Sequence, residues 1–102
     1  MRRILPPRRG AVSFNLVHQN RPVTVTAGFY ANGALGEVFI GVGKTGADIE
    51  NIAHDAAVIL SLAIQHGVAI ESIQRAVTRL GDGAPSSVLG AVADSLAGAV
   101  RP

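Results

Sequence analysis

The residues of this chain best suited to chemistry lie around a single lysine. Lys44 stands in Gly41-Val42-Gly43-Lys44-Thr45-Gly46, between an apolar, strand-like run and a long helical one. Such a turn offers an anion an ammonium group, free backbone N–H groups and the positive end of a helix. A full phosphate-binding loop needs a glycine five positions before its Gly-Lys-Thr triplet; that position holds Val38. Gly43, Lys44, Thr45 and Gly46 are therefore candidates for anion or nucleotide contact, and a solvated glycine-rich connector is the competing reading. Asp48, just beyond, competes for the same N–H groups.

Other polar residues assemble less chemistry. Glu50, His54 and Ser61 fall on roughly one helical stripe. A nucleophilic triad on one helix lacks separate oxyanion donors, so a polar seam is the simpler reading and no catalytic residue is assigned. His18, His54 and His66 have no zinc-ligand spacing, so no metal and no cofactor is expected. Arg75 and Arg79 form an i, i+4 pair that either extends an anion-binding surface or is solvated. Arg2, Arg3, Arg8 and Arg9 precede every acid in the chain, the first of which is Glu37. They make a basic, proline-containing arm over residues 1–10 that could meet nucleic acid phosphates. Four aromatic residues leave little surface for stacking bases.

Positioning these residues falls to a single α+β domain, residues 11–102. Alternation predicts strands near 12–18, 21–30 and 35–42. Turns are expected at Gln19-Asn20 and at Ala31-Asn32-Gly33. Short connections make a three-stranded antiparallel meander. A helix follows from Ile49 to about Ile64, with Asp48 as its cap and Gly67 as its left-handed end. It is apolar over most of its girth, which predicts burial on several sides and a central post for the core. A second helix is expected from about Ile70 to Leu80. A third, capped by Ser86 or Ser87, runs to about Val100. The three helices pack on one face of the sheet. Phe14 and Phe39 are expected in the core. The third helix is rich in glycine and alanine and needs packing to form, against its own domain or a second copy.

With 102 residues, 48% of them hydrophobic, the chain can bury one modest core. No apolar run reaches the length of a membrane span, and no signal peptide is visible, so a cytoplasmic location is the default expectation. Cysteine is absent, which removes disulfides, thiolate nucleophiles and cysteine-ligated zinc.

A family resemblance enters through small motifs. Leu35-Gly36-Glu37-Val38-Phe39-Ile40, Lys44 and Gly46, residues 57–62, Gln65-His66-Gly67-Val68, and the lead-in Leu5-Pro6-Pro7-Arg8-Arg9 resemble the C-terminal accessory domain, the TSCPD domain, of adenosylcobalamin-dependent ribonucleotide reductases. The Thr-Ser-Cys-Pro-Asp motif itself is replaced by Ala84-Pro85-Ser86-Ser87-Val88, as in stand-alone, cysteine-free members. The resemblance implies that ribonucleotide reduction, which uses a cysteine radical and a reducing cysteine pair, is beyond this chain alone. The expected role is a small non-catalytic module that associates with a protein partner or with itself, through Leu89, Val92, Leu96 and Val100. The alternatives are nucleic-acid binding by the arm and nucleotide-binding regulation at Lys44.

Overall fold

Alternating apolar and polar residues in the first half of the chain produce three strands, β1 (Ala11–His18), β2 (Arg21–Phe29) and β3 (Leu35–Val42). They form an antiparallel sheet in the order β1-β2-β3. Three helices follow, α1 (Ala47–Gln65), α2 (Ile70–Ala76) and α3 (Val88–Val100). The computed structural model describes residues 2, 4–5, 10–43 and 47–100, leaving out the side chains of Ala47, Ala99 and Val100. The α+β meander followed by helices is the expected architecture.

Both hairpins use the chemistry their residues supply. Gln19 and Asn20 take positive φ, 50° and 65°, between β1 and β2, the conformation a two-residue hairpin requires. In the second turn Gly33 has φ 86°, and the Asn32 side chain accepts a hydrogen bond from the Ala34 N–H. Register places Phe14, Val25 and Ile40 abreast on one face, and Leu16, Val23 and Val42 beside them. That face meets the helices. Val23, Val25, Val38, Ala53, Ala57, Leu60, Val92, Ala93, Leu96 and Ala97 are buried between the layers. The other face carries a Ser13–Thr26 hydroxyl pair at 2.8 Å and a Thr24–Asn15 hydrogen bond. Phe39 lies on this open face, opposite Thr26, and is 54% exposed. Its expected place in the core is corrected by the period of two, which sends it away from Val38 and Ile40.

The helix ends follow their signals in part. Gly67 has φ 95°, with Gly67 N–H donating to Ile64 O and Val68 N–H to Ala63 O, a Schellman end to α1. Ser87 caps α3 by accepting from the Gly90 N–H. Ser86 instead donates to Thr78 O. Asp48 lies inside the first turn of α1, where its charge suits the helix dipole. α2 is shorter than expected. Val77 is extended, with ψ 157°, and Arg79 bridges to Pro85 in a small antiparallel contact. The β-branched pair Val77-Thr78 favours that extended path over another helical turn.

One expectation about α1 is overturned. α1 packs chiefly on β3, and α2 chiefly on α3. The helix has one side in the core and its outer sides exposed, so it is not enclosed by the other described residues. Ile52 and Ile59 are 68% and 67% exposed, and Val58 and Leu62 are partly exposed.

Candidate functional site

The outer edge of β3 would present unpaired backbone groups, and α1 covers it with polar side chains. Ser61 donates to Val38 O at 3.0 Å and accepts from the Val38 N–H at 2.8 Å. One turn on, Gln65 donates to Gly36 O at 3.0 Å. Ser61 thus does for Val38 what a fourth strand would do. Its hydroxyl is engaged at both ends, which ends the drawn triad. His54 shares a recess with Ser61 beside β3, and with Glu50 it also lines a polar recess by Gly41 and Gly43 at the end of β3.

That recess is the described part of the expected anion site. Gly43 borders it; Lys44, Thr45 and Gly46 lie outside the described residues. Glu50 places a carboxylate on its wall, a poor neighbour for a phosphate. Of the expected nucleic-acid contacts, Arg2 is described, and its Nε donates to Gln65 Oε1. Leu5 sits so close over Gly36 that a Cβ there would clash with the Leu5 side chain and press on the Tyr30 ring. So the described part of the arm lies on the fold beside the α1–β3 seam. Arg3, Arg8 and Arg9 lie outside the described residues. Among the described residues, no three histidines, aspartates or glutamates cluster to hold a metal. No helix is long and apolar enough to cross a membrane, again among the described residues.

Arg79 leaves the expected basic pair because α2 ends before it. It forms a two-pronged ion pair with Asp94 of α3, both contacts at 2.6 Å, and donates to Gln74 O at 2.7 Å. The Arg79 guanidinium holds the Asp94 carboxyl below the usual carboxylate range; burial opposes the shift, and a hydrogen bond from Gln74 assists it. The clamp ties the 77–85 loop to α3. Arg75 is exposed. Sequence reasoning did not pair Arg79 with Asp94, because neither periodicity nor spacing links them.

The association stripe expected on α3 is turned inward. Val92 and Leu96 are buried in the chain's own core, at 0% and 1% exposure. Leu89 is half-buried, and the Val100 side chain lies outside the described ones. A small domain uses its largest aliphatics to close its sheet first, which corrects Val92 and Leu96 as an outward surface. The exposed apolar surface is on α1 instead. Between α1 and the α2–α3 pair lies an open groove of about 450 Å³. It is lined by Ile52, Ala56, Ile59 and Ala63 of α1, with Ile73 and Leu89 opposite. Asp55 is the charged residue of its lining among the described residues. The signal was present in the sequence as a helix too apolar for one buried side.

Comparison with known proteins places the chain in a family. The TSCPD domain pattern matches residues 3–100. The chain is 32% identical over 74 residues to a vitamin B12-dependent ribonucleotide reductase of Bradyrhizobium diazoefficiens. It is 31% identical over 74 residues to the enzyme of the same name from Agrobacterium fabrum. Each match covers 72% of this chain and 6% of the relative. No solved structure matches the chain. A family pattern running through all six elements of the fold settles the kinship: the chain belongs to the TSCPD domain family.

Proposed function

We propose that this TSCPD domain acts by protein–protein association and performs no reaction of its own. The observation that carries the reading is the groove beside α1, with Ile52 and Ile59 left two-thirds exposed along it. Exposed aliphatics beside an apolar groove mark an interaction surface. Two of the residues that could have suggested chemistry have structural work: Ser61 completes the β3 edge, and Arg79 is held by Asp94. Kinship to vitamin B12-dependent ribonucleotide reductases makes a reductase chain of that kind a natural partner, alongside a second copy of this chain. The absence of cysteine from this chain means that the thiol chemistry of such an enzyme would come from the partner.

The test is sedimentation of the purified chain at high micromolar concentration, alone and mixed with a purified vitamin B12-dependent reductase. A self-assembled species or a mixed complex is expected. A monomer that also fails to co-sediment with the reductase would sink the association reading. Ribonucleotide turnover by the chain alone, with adenosylcobalamin and a reductant supplied, would sink the non-catalytic one.

A further inference from the structure

The groove and the ridge beside it are cut from the same helix. Ile52, Ala56, Ile59 and Ala63 follow a 4-3-4 spacing, the seam spacing of packed helix pairs. Large and small residues alternate along that seam. Ile52 and Ile59 protrude, while Ala56 and Ala63 are half-buried and leave room beside them. An antiparallel pair of such helices, with its two-fold axis between Ala56 and Ile59, sets Ile52 of each copy against Ala63 of the other. It sets Ala56 against Ile59 in the same way. Every protrusion then meets a hollow, whereas a parallel pair sets isoleucine on isoleucine and alanine on alanine.

Charge selects the same orientation. α1 carries Asp48 and Glu50 in its first turn and Asp55 further on, with no lysine or arginine anywhere along it. A parallel pair would crowd the acids of both copies at one end. The antiparallel pair sends Asp48 and Glu50 of the two copies to opposite ends and offsets the two Asp55 residues, which stay beside the groove, by about 7 Å along the axis. It also brings Asp48 of one copy to the end where His66 of the other stands, and about five helical turns keep these two residues on one stripe. Covering the groove takes Ile52 and Ile59, 68% and 67% exposed in the single chain, out of water in both copies.

We infer that the occupant of the α1 groove is α1 of a second copy, packed antiparallel across a two-fold axis to form a homodimer. The inference rests on the association reading above and names its partner and geometry.

The missing cysteines make the test direct. Ile52→Cys and Ala63→Cys are prepared separately, shown to keep the wild-type circular dichroism, and oxidised alone and as a mixture. The mixture is expected to form a disulfide-linked dimer and Ile52→Cys alone is not, since its two sulfurs would sit about 16 Å apart along the helix axis. Wild-type sedimentation at high micromolar concentration should give twice the 10.5 kDa chain mass. Ile59→Asp, at an exposed site, should keep the fold and weaken the dimer at least about tenfold. A wild-type monomer, or efficient cross-linking of Ile52→Cys with itself, overturns the inference. A monomer that still co-sediments with the reductase, and loses that through Ile59→Asp, overturns the homodimer while leaving the association reading standing.

Discussion

Ser61 shows how a side chain with catalytic potential is used for structure. On sequence alone it sits with Glu50 and His54 on one stripe; in the fold its hydroxyl closes the β3 edge at Val38. Ser61→Ala removes both hydrogen bonds at once and leaves a part-buried N–H and C=O without side-chain partners. The expected cost is about 1–3 kcal/mol, read as a lower urea midpoint with an unchanged slope. The Arg79–Asp94 pair carries a pH dependence. Because Arg79 lowers the Asp94 pKa in the folded chain, the unfolded state binds the proton more readily. The stability from this pair is then complete above the unfolded carboxylate value of about 3.9. It falls away as pH drops through the lower, folded value. Asp94→Asn should therefore reduce the thermal midpoint at pH 7, and the gap to wild type should narrow as the pH falls below about 4. A gap that stays constant to pH 2 would assign the loss to packing and not to the charge.

At the scale of elements, the two sheet edges are treated differently. β3 has Ser61 and Gln65 along its outer side. β1 has no strand beyond it among the described residues, and its sequence AVSFNLVH contains no lysine and no proline, the devices that usually blunt such an edge. Val17 on it is 72% exposed. Val17→Lys should leave folding stability within about 0.5 kcal/mol while reducing light scattering on heating; unchanged scattering would mean that aggregation starts elsewhere. The strands, both hairpin turns and the Gly67 end of α1 were legible in sequence because each rests on a local rule: period two, positive φ at Asn and Gly, a left-handed cap. The extent of α2 was less legible, since Ile70, Ile73, Val77 and Leu80 keep helical spacing while Val77 turns extended to let Arg79 reach Asp94. Phe39 and the α3 stripe were misplaced for a related reason. Apolar character says that a residue wants cover, and only the packed fold says whether the chain itself supplies it.

The whole molecule explains why that cover matters. Its buried core is built largely from valine and alanine, with Ile40, Leu60, Ile70 and Leu96 as its larger aliphatics. Domains near 100 residues bury a limited share of their surface and are correspondingly marginal. Leaving Ile52 and Ile59 in water forgoes roughly 1.5–3 kcal/mol for each side chain that could be fully buried, so a dimer across α1 would supply stability that the monomer lacks. Linkage then requires the unfolding transition to depend on protein concentration, because the second copy binds the folded chain and not the unfolded one. The thermal midpoint of the wild type should rise steadily with concentration from low to high micromolar. Ile59→Asp should flatten that dependence while leaving the midpoint in dilute solution close to wild type, its side chain being solvated in the monomer. Leu96→Ala should behave in the opposite way. It removes a fully buried side chain, costs about 2–5 kcal/mol at every concentration, and leaves the slope in place for as long as the chain folds. A wild-type midpoint independent of concentration, with Leu96→Ala still strongly destabilising, would show that the core alone sustains this fold and would remove a second copy as the cover of the exposed face of α1.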